Sequence, residues 1–138
     1  MRALKICLWV RGILCLLSVF GLFLSVSAFE SIARFFGVES LPESPLVEYA
    51  IRTASATYDV GVGIFFLILA LNPAKYGLMV PFSGLCAIFI GVVCAVTGIA
   101  VQIPALWYLG DSVPCLVLGV LILAFWQKAR QTAHAGAA

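Results

Sequence analysis

The stretch VPFSGLCAIFIGVVCAVTGIAV, residues 80–101, decides the fold class because it carries no charged side chain over its whole length. An α-helix needs about 20 predominantly apolar residues to cross the roughly 30 Å of a bilayer's hydrocarbon core. Pro81 lies in what would be the first turn of such a helix, where proline is tolerated, and Pro104 follows its end. The stretch therefore predicts a transmembrane helix.

Three more apolar stretches accompany this one. The chain has 138 residues, 64% hydrophobic and 10% charged, whereas soluble domains have about 45–50% and about 25%. We predict an all-α membrane protein with a single domain over residues 1–138, an antiparallel bundle of four transmembrane helices. Its spans are expected at about 6–29, 51–71, 80–101 and 112–126.

Prolines mark the ends of two of these spans. The second is expected to stop at Asn72-Pro73, because proline cannot continue a helix without losing a hydrogen bond. The fourth is short, roughly 22 Å at 1.5 Å per residue. Asp111 or Ser112 is expected to cap it, with Pro114 in its first turn.

Charged residues between the spans separate by sign. Six of the 8 Lys and Arg residues fall on one side of the predicted bundle: Arg2, Lys5, Arg11, Lys75, Lys128 and Arg130. The acidic residues of the connections fall on the other side: Glu30, Glu39, Glu43, Glu48 and Asp111. Because Lys and Arg accumulate in cytoplasmic loops, we predict that both termini are cytoplasmic. Arg11, inside the first span, is expected to reach back to the cytoplasmic headgroups.

The first outer connection, about residues 30–49, begins with an amphipathic pattern. One helical face would carry four apolar residues: Phe29, Ile32, Ala33 and Phe36. Glu30 and Arg34 stand four residues apart and can form an ion pair on such a helix. We predict a short amphipathic helix that lies on the outer surface of the membrane.

The N-terminal sequence allows a second interpretation. A basic start, an apolar core and Ser25-Val-Ser-Ala28 also fit a secretory signal with a small-x-small cleavage site. Cleavage after residue 28 would leave three spans and place the new N-terminus outside. The intact mass of the protein distinguishes the two interpretations.

The second predicted span is unusual because its outer half is polar. Arg52 and Asp59 stand seven residues apart, which places them on nearly the same helix face, about 10 Å apart along the axis. A charge at the centre of a span costs about 2.5–3.5 kcal/mol, so Asp59 should face the bundle interior and have a partner. One interpretation is an outward-facing pocket for a small polar or cationic ligand or a proton. Its residues would be Arg52, Ser55, Tyr58, Asp59 and Gln102. The other interpretation is an internal ion pair, or a protonated Asp59, that only fixes helix packing.

Small residues recur along one face of the third span: Gly84, Ala87, Gly91, Ala95 and Gly98. Small side chains let helices approach closely in lipid, where packing rather than hydrophobicity drives association. The first span offers a similar series: Ser18, Gly21, Ser25 and Ala28. We expect the two series to face each other within one chain, although the pattern also allows a contact between two chains.

The sequence predicts no metal, cofactor or nucleic-acid site. Its five cysteines lie in apolar stretches without a CxxC motif, and its one histidine, His134, lies in the C-terminal tail. We expect the cysteines to be small packing residues. The formal net charge is only +2, and no basic patch carries interleaved aromatic residues, which argues against nucleic-acid binding.

The layout resembles the DoxX-like and BphX-like families of small bacterial four-helix membrane proteins. The resemblance rests on chain length, span count and the outer loop, followed by Tyr49-Ala-Ile-Arg52 and then by Tyr58, Gly61 and Gly63. It implies an integral protein of a bacterial inner membrane. For some relatives it implies a role as a subunit of membrane oxidoreductase systems. No catalytic residue is carried over.

Three functions remain open at this point. The first is a non-enzymatic accessory or structural subunit, whose partners would be the lipid bilayer and a larger membrane complex or further copies of the chain. The second is a small transporter or ligand-binding protein that uses the face of Arg52 and Asp59. The third is a subunit of a quinone-linked oxidoreductase, against which the lack of histidine in the spans counts. The sequence favours a non-enzymatic role.

Overall fold

A computed structural model of the chain describes residues 2–17, 19–23, 26–37, 49, 52–54 and 60–135. This part of the chain is helical and contains no strand. Its helices are α1 (Arg2–Leu17), α2 (Phe20–Phe23), α3 (Val26–Phe35), α4 (Gly61–Leu71), α5 (Pro73–Tyr76), α6 (Met79–Ala100) and α7 (Ala105–Ala135). Residues 52–54 are also helical. The predicted all-α class is confirmed.

Two of the described helices, α6 and α7, are long and apolar enough to cross a membrane. α6 has 22 residues and lies within one residue of the predicted third span. α1 ends at Leu17, well short of residue 29 where the first span was expected to end, and α4 has 11 residues. The described residues therefore give two candidate membrane helices, whereas the sequence predicted four spans.

The last helix begins earlier than the sequence predicts. α7 starts at Ala105, so the prediction that Asp111 or Ser112 caps it is wrong. The Ser112 hydroxyl instead donates to the carbonyl oxygen of Tyr108, one turn earlier and 2.7 Å away. Pro114 lies inside the helix rather than in its first turn. Membrane helices tolerate such a proline where neighbouring groups satisfy the carbonyl that it releases.

α6 and α7 form a closely packed antiparallel pair. A Cβ atom built on Gly119 would lie 2.8 Å from the carbonyl oxygen of Gly84, and one built on Gly91 would lie 3.0 Å from a carbonyl oxygen of α7. The Tyr108 side chain fills the space beside Gly98 in the same way. The small-residue face of α6 therefore packs against α7. The sequence had predicted that this face would pack against the first span. Its members are all buried or half-buried: Gly84, Ala87, Gly91, Ala95 and Gly98.

α1 and α4 form a second antiparallel pair. A Cβ atom built on Gly12 would lie 3.1 Å from the carbonyl oxygen of Gly63, and one built on Gly63 would lie 3.1 Å from the carbonyl oxygen of Gly12. Nearer the start of α1, the ammonium of Lys5 donates to the carbonyl oxygen of Leu71, 3.1 Å away. A cation at this position stabilises the C-terminal end of α4, where the helix dipole is negative.

A common apolar core joins the two pairs. Leu4 and Leu8 of α1 and Ile122 of α7 have no exposed surface. They cluster with Phe66 of α4 and Val80 of α6. Leu4 and Val80 both lie in the first turn of their helices, so the core occupies the end of the bundle where α1 and α6 begin.

A tight connection leads from α4 into α6 at this end. The Asn72 side-chain oxygen accepts a hydrogen bond from the backbone N–H of Lys75 at 3.3 Å, which caps α5. Pro73 occupies the first position of α5, where its missing N–H costs no helical hydrogen bond. Gly77 then turns the chain with a φ of 48°, a conformation that glycine adopts easily. α4 therefore stops where the sequence predicts.

Most of the basic residues gather at the same end of the bundle. α1 and α6 begin there, and α4 and α7 finish there because each is antiparallel to its partner. The residues that this arrangement brings together are Arg2, Lys5, Lys75, Lys128 and Arg130. We call this the basic end and the opposite one the distal end.

α3 lies against the start of α7 at the distal end. The Phe36 ring, just after α3, packs edge-to-face on Trp107 with 5.5 Å between ring centroids. Ala33 is buried on the same helix. Nη2 of Arg34 and Oε1 of Glu30 are 2.8 Å apart, so the expected ion pair is present. The helix predicted in this loop thus exists and begins earlier than the sequence indicates, at Val26.

Candidate functional site

A cavity of about 570 Å³ lies between the two helix pairs. Its described wall residues come from α1, from the helical residues 52–54, from α6 and from α7: Arg11, Leu14, Cys15, Ala54, Phe89, Ile90, Val93, Cys94, Gly110, Asp111, Pro114 and Cys115. These segments lie closer to the distal end than the core residues of the same helices. Small-molecule sites usually have volumes of about 300–1,000 Å³, so the cavity is large enough for a ligand.

Arg11 gives the cavity wall a buried positive charge. Only 8% of the residue is exposed, and among the described residues it is the one charged residue that is buried. Its Nε atom donates no hydrogen bond within the described part of the chain. Its guanidinium carbon lies 5.9 Å from the ring centroid of Phe66, a cation–π contact. The prediction that Arg11 reaches the headgroups is wrong, because the crossing at Gly12 turns this face of α1 inward.

α7 contributes acceptor groups to the same cavity. Asp111 is exposed, and it stands one helical turn before the buried Cys115. Pro114 has no N–H, so the Gly110 carbonyl oxygen lacks its regular helical donor. Asp111 and Gly110, which carry these acceptor groups, both line the cavity. The cavity therefore combines one buried cation with a carboxylate that reaches solvent.

Three cysteines that form no disulfide, one from each of three helices, line the cavity: Cys15, Cys94 and Cys115. Two of them also pack at the helix crossings, because their Cβ atoms lie 3.1 Å from Cβ atoms built on Gly63 and Gly91. No group of three His, Cys, Asp or Glu residues in the described segments could hold a metal ion. In this setting the thiols are small, polarisable wall groups.

The ligand residues predicted from the sequence have a different placement. Arg52 is exposed and stands two residues before Ala54, which lines the cavity. Gln102 is exposed in the turn between α6 and α7. Three of the predicted residues lie outside the described part of the chain: Ser55, Tyr58 and Asp59. The pocket around these three residues stays a prediction.

Gln102 has a role in ending α6. Its φ of 58° is in the left-handed region, which glycine usually occupies. Its backbone N–H donates to the carbonyl oxygen of Ile99 at 3.2 Å, and the N–H of Ile103 donates to that of Gly98 at 3.0 Å. These two hydrogen bonds are the Schellman arrangement that closes a helix C-terminus.

The sequence itself contains a signal for the inward direction of Arg11. Leu4, Leu8, Arg11 and Cys15 recur at spacings of four, three and four, which is one face of a helix. All four are buried. A lone charge on an otherwise apolar face, several turns inside a helix, is typical of a charge that faces the bundle interior.

Known proteins give no further guidance to the site. No protein-family model, curated protein or solved structure matches this chain. The resemblance to DoxX-like and BphX-like proteins stays a prediction.

Proposed function

We propose that this chain is a four-span integral membrane protein that binds a small molecule in the cavity between its two helix pairs. The observation that carries the proposal is the buried Arg11 in the wall of a cavity of about 570 Å³. The role is non-enzymatic binding or transport. The sequence predicted Arg52 as the cationic binding residue, whereas this proposal assigns that role to Arg11.

The energetics of Arg11 support a ligand. A charge at the centre of a membrane helix costs about 2.5–3.5 kcal/mol, and a desolvated cation–π contact such as that with Phe66 returns about 2 kcal/mol. An unsatisfied buried donor costs a further 1–3 kcal/mol or so. A ligand that accepts hydrogen bonds from the guanidinium removes that penalty.

The arrangement of the helices supports four spans with both termini in the cytoplasm. α1 and α4 pack as a pair beside the two candidate membrane helices, and Leu4 and Leu8 of α1 belong to the common core. Lys and Arg favour cytoplasmic sides, so the basic end is cytoplasmic in this proposal. The cavity then belongs to the outer half of the bundle.

Native mass spectrometry of the gently extracted protein tests the binding function. The wild-type protein should carry a small-molecule adduct that Arg11→Gln loses, while Lys5→Gln, which removes an exposed charge from the same helix, keeps it. A bare wild-type chain, with no adduct in any detergent, would contradict the proposal. A stable assembly with other proteins would favour the accessory-subunit function instead.

Two further measurements test the topology. Green fluorescent protein fused after residue 138 should fluoresce, and alkaline phosphatase at the same position should be inactive, because the C-terminus is proposed to be cytoplasmic. The denatured intact mass should include residues 1–28, since the core needs Leu4 and Leu8. Loss of those residues would refute the four-span arrangement.

A further inference from the structure

We propose that the cavity takes a lipid-soluble organic anion, which enters from the bilayer between α1 and α6 and pairs its carboxylate with Arg11. This inference rests on the proposed function, since it needs the bundle in a membrane and the cavity as a binding site. It adds the chemical class of the ligand and the direction from which it comes.

Among the described residues, α1 and α6 give the cavity an exposed apolar flank. Leu14 of α1 is 43% exposed, and Phe89 and Val93 of α6 are 69% and 44% exposed, yet all three line the cavity. A residue that is both exposed on the flank of the bundle and part of the cavity wall marks an opening. In a bilayer, an opening edged by such side chains faces acyl chains, so it admits lipid-soluble molecules.

The group at the inner end of the cavity selects an anion. The guanidinium of Arg11 offers a planar fork of donors that matches a carboxylate. Its Nε donates no hydrogen bond to the described residues. Hydrogen bonds between a guanidinium and a carboxylate are among the strongest that proteins make.

Equilibrium binding to the full chain in phosphatidylcholine nanodiscs at pH 8 tests the ligand class. The probes are decanoate, its neutral counterpart decanol, its cationic counterpart decylamine, and acetate as a carboxylate without an apolar body. Decanoate should bind at least tenfold more tightly than the other three, and acetate should not displace it. In Arg11→Gln the affinity for decanoate should fall at least tenfold, whereas Lys5→Gln should match the wild type.

A second pair of variants tests the route. Val93→Trp narrows the opening and should slow decanoate binding severalfold. Val96→Trp places the same side chain one turn further along α6, at a position that is exposed and does not line the cavity, and should leave the rate unchanged. Equal rates in the two variants would overturn entry between α1 and α6.

The outcomes separate this inference from the proposed function. Equal binding of decanoate, decanol and decylamine by the wild-type protein would overturn the anion class and leave a small-molecule cavity standing. Displacement of decanoate by acetate would overturn the need for an apolar body. Failure of all four probes to bind, together with a bare chain in native mass spectrometry, would overturn both. The comparison among probes uses the wild-type chain, so it does not depend on whether Arg11→Gln folds.

Discussion

The substitution Gly119→Ala should weaken the contact between α6 and α7. Its new methyl group would lie 2.8 Å from the carbonyl oxygen of Gly84 and 3.0 Å from the backbone nitrogen of Ile88. Both are backbone atoms, so no side chain can rotate to make room. Ordinary contact begins at 3.4 Å, and the two helices must therefore separate locally by about 0.6 Å.

The size of the effect follows from two opposing contributions. Overpacking of this kind costs about 1–3 kcal/mol, and alanine has a better helix propensity than glycine by about 0.8–1.0 kcal/mol. Gly110→Ala on the same helix is the matched control, because a Cβ atom built there meets nothing within 4 Å. The propensity gain is common to both variants. Their difference in the free energy of unfolding should therefore be the overpacking cost alone, about 1–3 kcal/mol.

Unfolding by sodium dodecyl sulfate, starting from mild detergent micelles and followed by tryptophan fluorescence, measures this difference. Gly110→Ala should be as stable as the wild type or more stable, and Gly119→Ala should unfold at a lower fraction of sodium dodecyl sulfate. If Gly119→Ala proved as stable as Gly110→Ala, the close backbone contact between α6 and α7 would be refuted.

Four further substitutions test other parts of the molecule. Gly91→Leu should abolish folding of the single chain rather than change its oligomeric mass, because atoms of α7 lie 2.8–3.1 Å from a Cβ atom at this position; a folded monomer seen by native mass spectrometry would contradict this. Gln102→Gly should raise the free energy of unfolding by about 1 kcal/mol, since glycine relieves the left-handed backbone. Arg34→Ala should change that free energy by less than about 0.5 kcal/mol, because its ion pair with Glu30 is exposed and lies within one helix; a larger loss in the same unfolding assay would assign α3 a structural role. Asp59→Asn should lower either stability or ligand binding, and no change in either would dismiss a function for this carboxylate.

Features that depend on local sequence were predicted well. The apolar run at 80–101 corresponds to α6, and the Asn72-Pro73 stop is the end of α4, because apolar length and proline act within a few residues. The ion pair between Glu30 and Arg34 follows from helical spacing alone.

Features that depend on how helices face each other were not predicted. The inward direction of Arg11 is fixed by the rotation of α1, which the contact of Gly12 with α4 determines. The small-residue face of α6 was assigned to the wrong partner, although Ser112, Cys115 and Gly119 form a matching small face on α7. Spacing identifies a face that packs closely, but it does not name the helix that packs there.

The two glycine crossings also bear on how the chain is assembled. Gly84 and Gly119 belong to neighbouring helices joined by a short turn, whereas about 50 positions of sequence separate Gly12 from Gly63. Contacts that are local in sequence form sooner, so α6 and α7 should associate quickly once both are in the bilayer. α1, however, is synthesised first and α7 last. A nascent chain therefore holds Arg11 without the α7 side of the cavity until α7 has been synthesised, and a truncation before α7 leaves the charge without that side.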